Sequence, residues 1–105
     1  IDAGQALDRL ILKSMARRVR FLEQASRAGC ASADILLGRM YLDGLGVRTA
    51  FRKARVYFVR AARRGNRLGY WNLAIIYQTG YGVRRSPAKA DRWMAAYCRH
   101  NGAAK

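Results

Sequence analysis

The feature that most constrains this chain is an internal repeat. The stretch "YLDGLGVRTAFRKARVY", from Tyr41, and "YQTGYGVRRSPAKADRW", from Tyr77, carry tyrosine, two glycines, valine, arginine, lysine, alanine and a closing aromatic at the same spacings. An offset of 36 residues also aligns Leu37 with Leu73 and Arg63 with Arg99. A unit of this size cannot bury a core alone, so it must stack on its neighbours as a solenoid.

Within each unit the apolar pattern gives two helices. Leu36, Leu37, Met40 and Tyr41 recur at helical spacing and predict a first helix from Ala33 that stops at Asp43. Gly44 and Gly46 then supply the left-handed backbone that ends a helix and reverses the chain. In the second unit Ser86 and Pro87 follow the same turn, a capping hydroxyl and then a proline at the first helical position. The second helix carries Ala54, Tyr57, Phe58, Ala61 and Ala62 in one unit, and Ala90, Trp93, Met94 and Ala96 in the other. Small residues let helix axes approach, and the aromatics fill the space between units.

A further step of 36 residues places Phe21 beneath Tyr57, Ala25 beneath Ala61 and Gly29 beneath Gly65. Residues 14–29 therefore read as the second helix of an earlier, degenerate unit. Residues 1–13 lack the glycine turn and predict an N-terminal capping helix, either separate or continuous with the next. The expected organisation is one all-α domain over 1–105, a short TPR-like α/α superhelical solenoid. Its parts are the cap and degenerate repeat over 1–29, repeats over 30–66 and 67–102, and a tail over 103–105.

This pattern resembles the Sel-one-like repeat family (SLR), a subclass of tetratricopeptide-like α/α solenoids. The resemblance rests on Ala33, Leu37, Gly38, Tyr41, Gly44, Gly46, Val47, Ala54, Tyr57, Ala61, Ala62 and Gly65 in one unit. In the next it rests on Leu73, Ala74, Tyr77, Gly80, Gly82, Val83, Ala90 and Trp93, with Gly69 replacing the opening alanine and Ala95-Ala96 out of register with the ending. It covers about residues 14–102. It implies binding by a scaffold or adaptor, often in bacterial signalling, envelope or host-interaction settings, and no cofactor. The shared positions are structural, so no functional residue carries over.

Catalytic and metal chemistry find little support in the residues. Gly80 and Gly82 lack the following Lys-Ser/Thr pair of a phosphate loop and the strand and third glycine of a dinucleotide fingerprint. Cys30 and Cys98 lie two units apart and are expected as unlinked thiols. The single histidine, His100, has no companion nucleophile or carboxylate that the sequence places beside it, and it suits a surface position at a helix C-terminus. Asp2, Asp8, Glu23, Asp34, Asp43 and Asp91 are scattered, without an acid/base pair.

Charge is the strongest surface signal. The 105 residues carry 21 Lys+Arg against 6 Asp+Glu, a formal net charge of +15. Such an excess gives a positive potential over most of a small surface and favours an acidic partner. Seventeen of the basic residues are arginine, which suits carboxylate and phosphate pairing; a codon bias toward arginine is the bland alternative. Arg48, Arg52, Lys53, Arg63, Arg84, Arg85, Lys89 and Arg99 are expected on the outer surface, where Arg48 with Arg84, Lys53 with Lys89, and Arg63 with Arg99 would form ladders. Like charges repel, so the ladders would cost stability until a partner neutralises them.

The expected partner-binding face is the concave one, lined by the first helices, with Arg39, Leu42, Tyr70 and Gln78 outward. A protein partner, in a bacterial regulator or an effector-neutralising protein, is the leading expectation. A nucleic acid or other polyanion is the alternative, disfavoured because most aromatics align with core positions. No apolar run is long enough to span a bilayer. The start at Ile1 fits a removed signal peptide or a trimmed sequence alike, so a bacterial periplasmic, exported or cytoplasmic location stays open. With two complete units, homodimerisation or burial against the partner would add stability.

Overall fold

The computed structural model describes residues 3–100, so the expected tail at 103–105 lies outside the described residues, as do the ends of the expected cap and last repeat. Among the described residues five helices follow one another: α1 (Ala3–Arg27), α2 (Ala31–Asp43), α3 (Phe51–Arg63), α4 (Leu68–Thr79) and α5 (Pro87–Arg99). Each packs chiefly on its neighbours in sequence, α1 on α2, α2 on α3, α3 on α4 and α4 on α5. The result is an extended stack of 52 × 31 × 20 Å, an all-α helical-repeat solenoid with no strand among the described residues.

The core threads through the stack rather than sitting at one centre. Leu37, Phe58, Leu73 and Ile76 are fully buried, with Ala54 and Ala61 as the small residues that let α3 settle against its neighbours. Gly69 has a specific reason to replace the alanine expected at its position. A Cβ there would collide with the Phe58 carbonyl and come within 2.7 Å of the Ala62 nitrogen, so only glycine lets α4 lie this close to α3.

The paired glycines of each turn dock one unit on the one before. Gly46 and Gly82 both adopt positive φ, 78° and 70°. A Cβ on Gly46 would meet the Met15 backbone at 2.7 Å, and one on Gly82 would meet Phe51 Cβ at 2.5 Å. Met15 and Phe51 are themselves 36 residues apart, so both turns rest on the equivalent spot of the preceding second helix. Each loop is also tied to the tyrosine before it: Ala50 N–H donates to the Tyr41 carbonyl and Ser86 N–H to the Tyr77 carbonyl, both at 2.9 Å. At α5 the Ser86 hydroxyl accepts from Lys89 N–H at 3.2 Å, with Pro87 next in line, the cap and proline start read from the sequence.

At the N-terminal end a single helix runs through both segments that the repeat register separates, because no glycine or proline interrupts Gln5 to Ala28. Val19, Leu22 and Ser26 bury one stripe of its second half. Its first half stands clear of the body, with Leu7, Leu10, Ile11 and Leu12 exposed.

Candidate functional site: the groove between α4 and α5

The expected site residues separate in the structure. Arg39 is exposed and pairs with Asp43 at 3.6 Å, beside a shallow hollow that includes Leu36 and Leu45. Gln78 is exposed near the turn, its carbonyl accepting from Arg85 Nε at 2.9 Å. Leu42, expected to face outward, is instead half-buried against the core, so it offers little contact surface. Only Tyr70 of these four lines a sizeable concavity. That groove has a volume of about 530 Å³ and lies between α4 and α5.

An aromatic wall forms its inside. Tyr70 stacks on Trp93, ring centroids 5.9 Å apart and planes inclined 26°, and tilts against the His100 ring at 5.0 Å. Tyr77 continues the wall along α4, two turns on from Tyr70, and Ala96 forms a low point on α5. His100 is fixed at the end of α5 by a 2.9 Å contact from Nδ1 to the Ala96 carbonyl. The rim is cationic: Lys89, Arg92 and Arg99 border the groove, and no acidic residue among the described residues does.

Lys89 and Arg99 were expected on the outer surface, away from Tyr70. The eight basic residues expected there are all exposed, but these two share the groove with Tyr70. Lys89 Nζ lies 5.4 Å above the Tyr77 ring, as Lys53 Nζ lies 5.3 Å above Tyr41 in the preceding unit. The repeated lysine therefore covers its unit's tyrosine, a cation over a π face worth about 0.5–1 kcal/mol at an exposed site.

The preceding unit fills the matching position. By the 36-residue offset Tyr70, Trp93, Ala96 and His100 correspond to Asp34, Tyr57, Arg60 and Arg64. Asp34 is fully buried. Arg64 Nη1 donates to Asp34 Oδ2 at 2.8 Å and to the Ser26 carbonyl at 2.8 Å, while the Ser26 hydroxyl donates to Asp34 Oδ1 at 2.5 Å. Arg60 Nη1 adds a 3.3 Å contact to the Ser26 hydroxyl. Tyr41 and Tyr57 stack at 5.8 Å, and the Tyr41 hydroxyl donates to Glu23 at 3.3 Å. Burial first, and the nearby Glu23 carboxylate second, push both phenols above their ordinary pKa. Two long arginines and the helix α1 thus close in unit one the space that Ala96 and His100 leave open in unit two.

Sequence reasoning missed Tyr77, Trp93, Ala96, Arg92 and His100 as a site. It matched units by their identities, and the hollow opens where they differ, at Tyr70, Ala96 and His100, beside the repeated Tyr77, Lys89 and Arg99. Cys30 and Cys98 are exposed free thiols, and among the described residues no cluster of His, Cys, Asp and Glu could hold a metal ion. No helix among them is long and apolar enough to cross a membrane.

The stacked helix pairs, interlocked by glycine turns, define the class of α/α helical-repeat proteins. The family model described as Sel1 repeat matches residues 31–66 and 67–96, most of the chain, and the chain belongs to that family. Two bacterial crystal structures share the fold. A Sel1 repeat protein from Oxalobacter formigenes is 25% identical with a TM-score of 0.72, the match covering 77% of this chain and 62% of that one. A protective antigen of uropathogenic Escherichia coli strains, displaying an SLR fold, is 25% identical with a TM-score of 0.74, covering 81% of this chain and 18% of that one. The chain thus spans less than two thirds of either protein. A search of curated proteins finds no significant match. Sel1 repeat proteins generally serve as scaffolds for protein–protein interaction, and the family is not an enzymatic one.

Proposed function

We propose that this chain is an interaction module whose protein partner is acidic, acting as a bacterial adaptor, a regulator or a neutraliser of an effector. The observation that supports this is the unpaired state of its cations. Among the described residues there are two ion pairs, Arg39 with Asp43 and Arg64 with Asp34, and neither involves Lys89, Arg92 or Arg99. A surface with net charge +15 repels itself until an acidic partner binds. Charge of this kind speeds and orients encounter, while the contacts that hold a complex are buried aromatic and arginine anchors. Tyr70 and Trp93 stack on each other and Lys89 lies over Tyr77, so the rings form one short wall and not the succession of free ring faces on which a strand of bases stacks.

The test is fluorescence anisotropy of two labelled probes, a glutamate-rich peptide carrying leucines and a mixed-sequence oligonucleotide, at low salt and at about 0.15 M. Peptide binding that persists at the higher salt while oligonucleotide binding collapses is the expected result. Oligonucleotide binding that persists, with the peptide lost, would move the assignment to a nucleic acid or other polyanion.

A further inference from the structure

We infer that the groove between α4 and α5 is the specific docking site of the partner and takes an acidic segment with one aromatic or branched aliphatic anchor. This deepens the proposed function and rests on it. Ala96 and His100 stand where Arg60 and Arg64 fill the preceding unit, so the groove is a local property of the second repeat and not of the solenoid at large. Its interior offers Tyr70, Tyr77 and Trp93, an apolar surface that an anchor side chain can cover. Lys89, Arg92 and Arg99 border that surface without carboxylate partners among the described residues, which matches carboxylates on both sides of the anchor. The outer arginines Arg48 and Arg52 are exposed too, but no residue of this groove is theirs, so they contribute general attraction alone.

Filling and charge make opposite predictions for one substitution. Ala96→Arg brings in the side chain that the first unit carries at this register, closing the groove while raising the positive charge. If docking requires the cavity, the added charge does not rescue binding; if charge alone matters, binding strengthens.

The experiment is calorimetric titration of the full chain at about 0.15 M salt with two synthetic peptides, a glutamate-rich one carrying a central tryptophan and the same peptide with serine in its place. The tryptophan peptide is expected to bind at least about tenfold more tightly, as burial of a large aromatic anchor implies. Ala96 is buried, so circular dichroism must first show the Ala96→Arg chain folded; the folded variant should then bind it about tenfold more weakly. The pair Lys89→Gln and Arg92→Gln changes exposed side chains and gives up only the Lys89 contact over Tyr77; it should weaken the tryptophan peptide more than Arg48→Gln with Arg52→Gln does. Equal affinity for the two peptides, or tighter binding by Ala96→Arg, overturns the groove assignment and leaves the acidic-partner proposal standing. If neither peptide binds, that proposal fails with it.

Discussion

The two repeats share a backbone plan and solve one register in opposite ways. In the first, Asp34 is buried under Arg64 and Ser26, and the neighbouring helix seals the space. In the second, Tyr70 and His100 take the places of Asp34 and Arg64, touching as rings, and a groove stays open beside them. A buried ion pair is a poor source of net stability compared with apolar packing, but it penalises heavily any arrangement that leaves its charge unpaired. The first repeat therefore fixes its junction with α1, while the second leaves an open groove with an aromatic wall. Repetition supplies the frame, and the proposed docking site lies at a departure from it.

The largest effect should come from breaking the sealed side. Arg64→Ala strands the Asp34 carboxylate with Ser26 as its remaining partner, and the Arg64 side chain is itself 30% exposed. A loss near the lower end for a broken buried pair, about 2–3 kcal/mol, is expected. Thermal melting should fall by roughly 10–20 °C on that basis, and Arg64→Lys should recover part of the loss. A fall of only a few degrees would mean that solvent already reaches Asp34.

Next in size is the junction between the units. Gly69→Ala forces a methyl group into the Phe58 carbonyl and the Ala62 backbone, neither of which can rotate away. Overpacking of this kind costs about 1–3 kcal/mol, read by urea unfolding. Stability within error of the parent would show that α4 can slide on α3.

The open side should tolerate being made like the sealed one. His100→Arg introduces the first-unit arginine at an exposed position, and unfolding stability should change by about 0.5 kcal/mol or less, as for surface substitutions. A large destabilisation would mean that the groove is a packed junction and not a vacant one.

The smallest effect is a pH dependence. The unfolded chain ionises its tyrosines near pH 10, whereas the folded phenols of Tyr41 and Tyr57 hold their protons to higher pH. The folded state then binds more protons, so their contribution is intact below about pH 10 and declines as pH rises above it. Tyr41→Phe should flatten that alkaline decline relative to the parent. An unchanged slope would remove Tyr41 from the effect.

Most of the frame was legible in the sequence. The spacing of Tyr41, Gly44, Gly46 and Val47 against Tyr77, Gly80, Gly82 and Val83 carries helix ends and turns, and each is a local choice that a single residue type dictates. The groove was not legible in the same way, because it comes from volume. Whether Ala96 leaves a hollow depends on what α4 presents across from it, and Trp93 reads as core by its alignment with Tyr57. Leu42 shows the converse, since a position that varies between units can still turn inward. The continuity of α1 through residue 14 follows from the absence of a breaker, which a repeat register alone does not weigh.

The central claim is that the second repeat, and not the charged exterior as a whole, holds the partner. It is tested most directly by nuclear magnetic resonance titration of the isotope-labelled chain with the tryptophan-bearing acidic peptide at about 0.15 M salt. The account predicts that the first and largest shifts fall on Tyr70, Tyr77, the Trp93 indole N–H and Ala96. Shifts spread evenly over Arg48, Arg52, Arg84 and Arg85, with the groove signals unmoved, would contradict it.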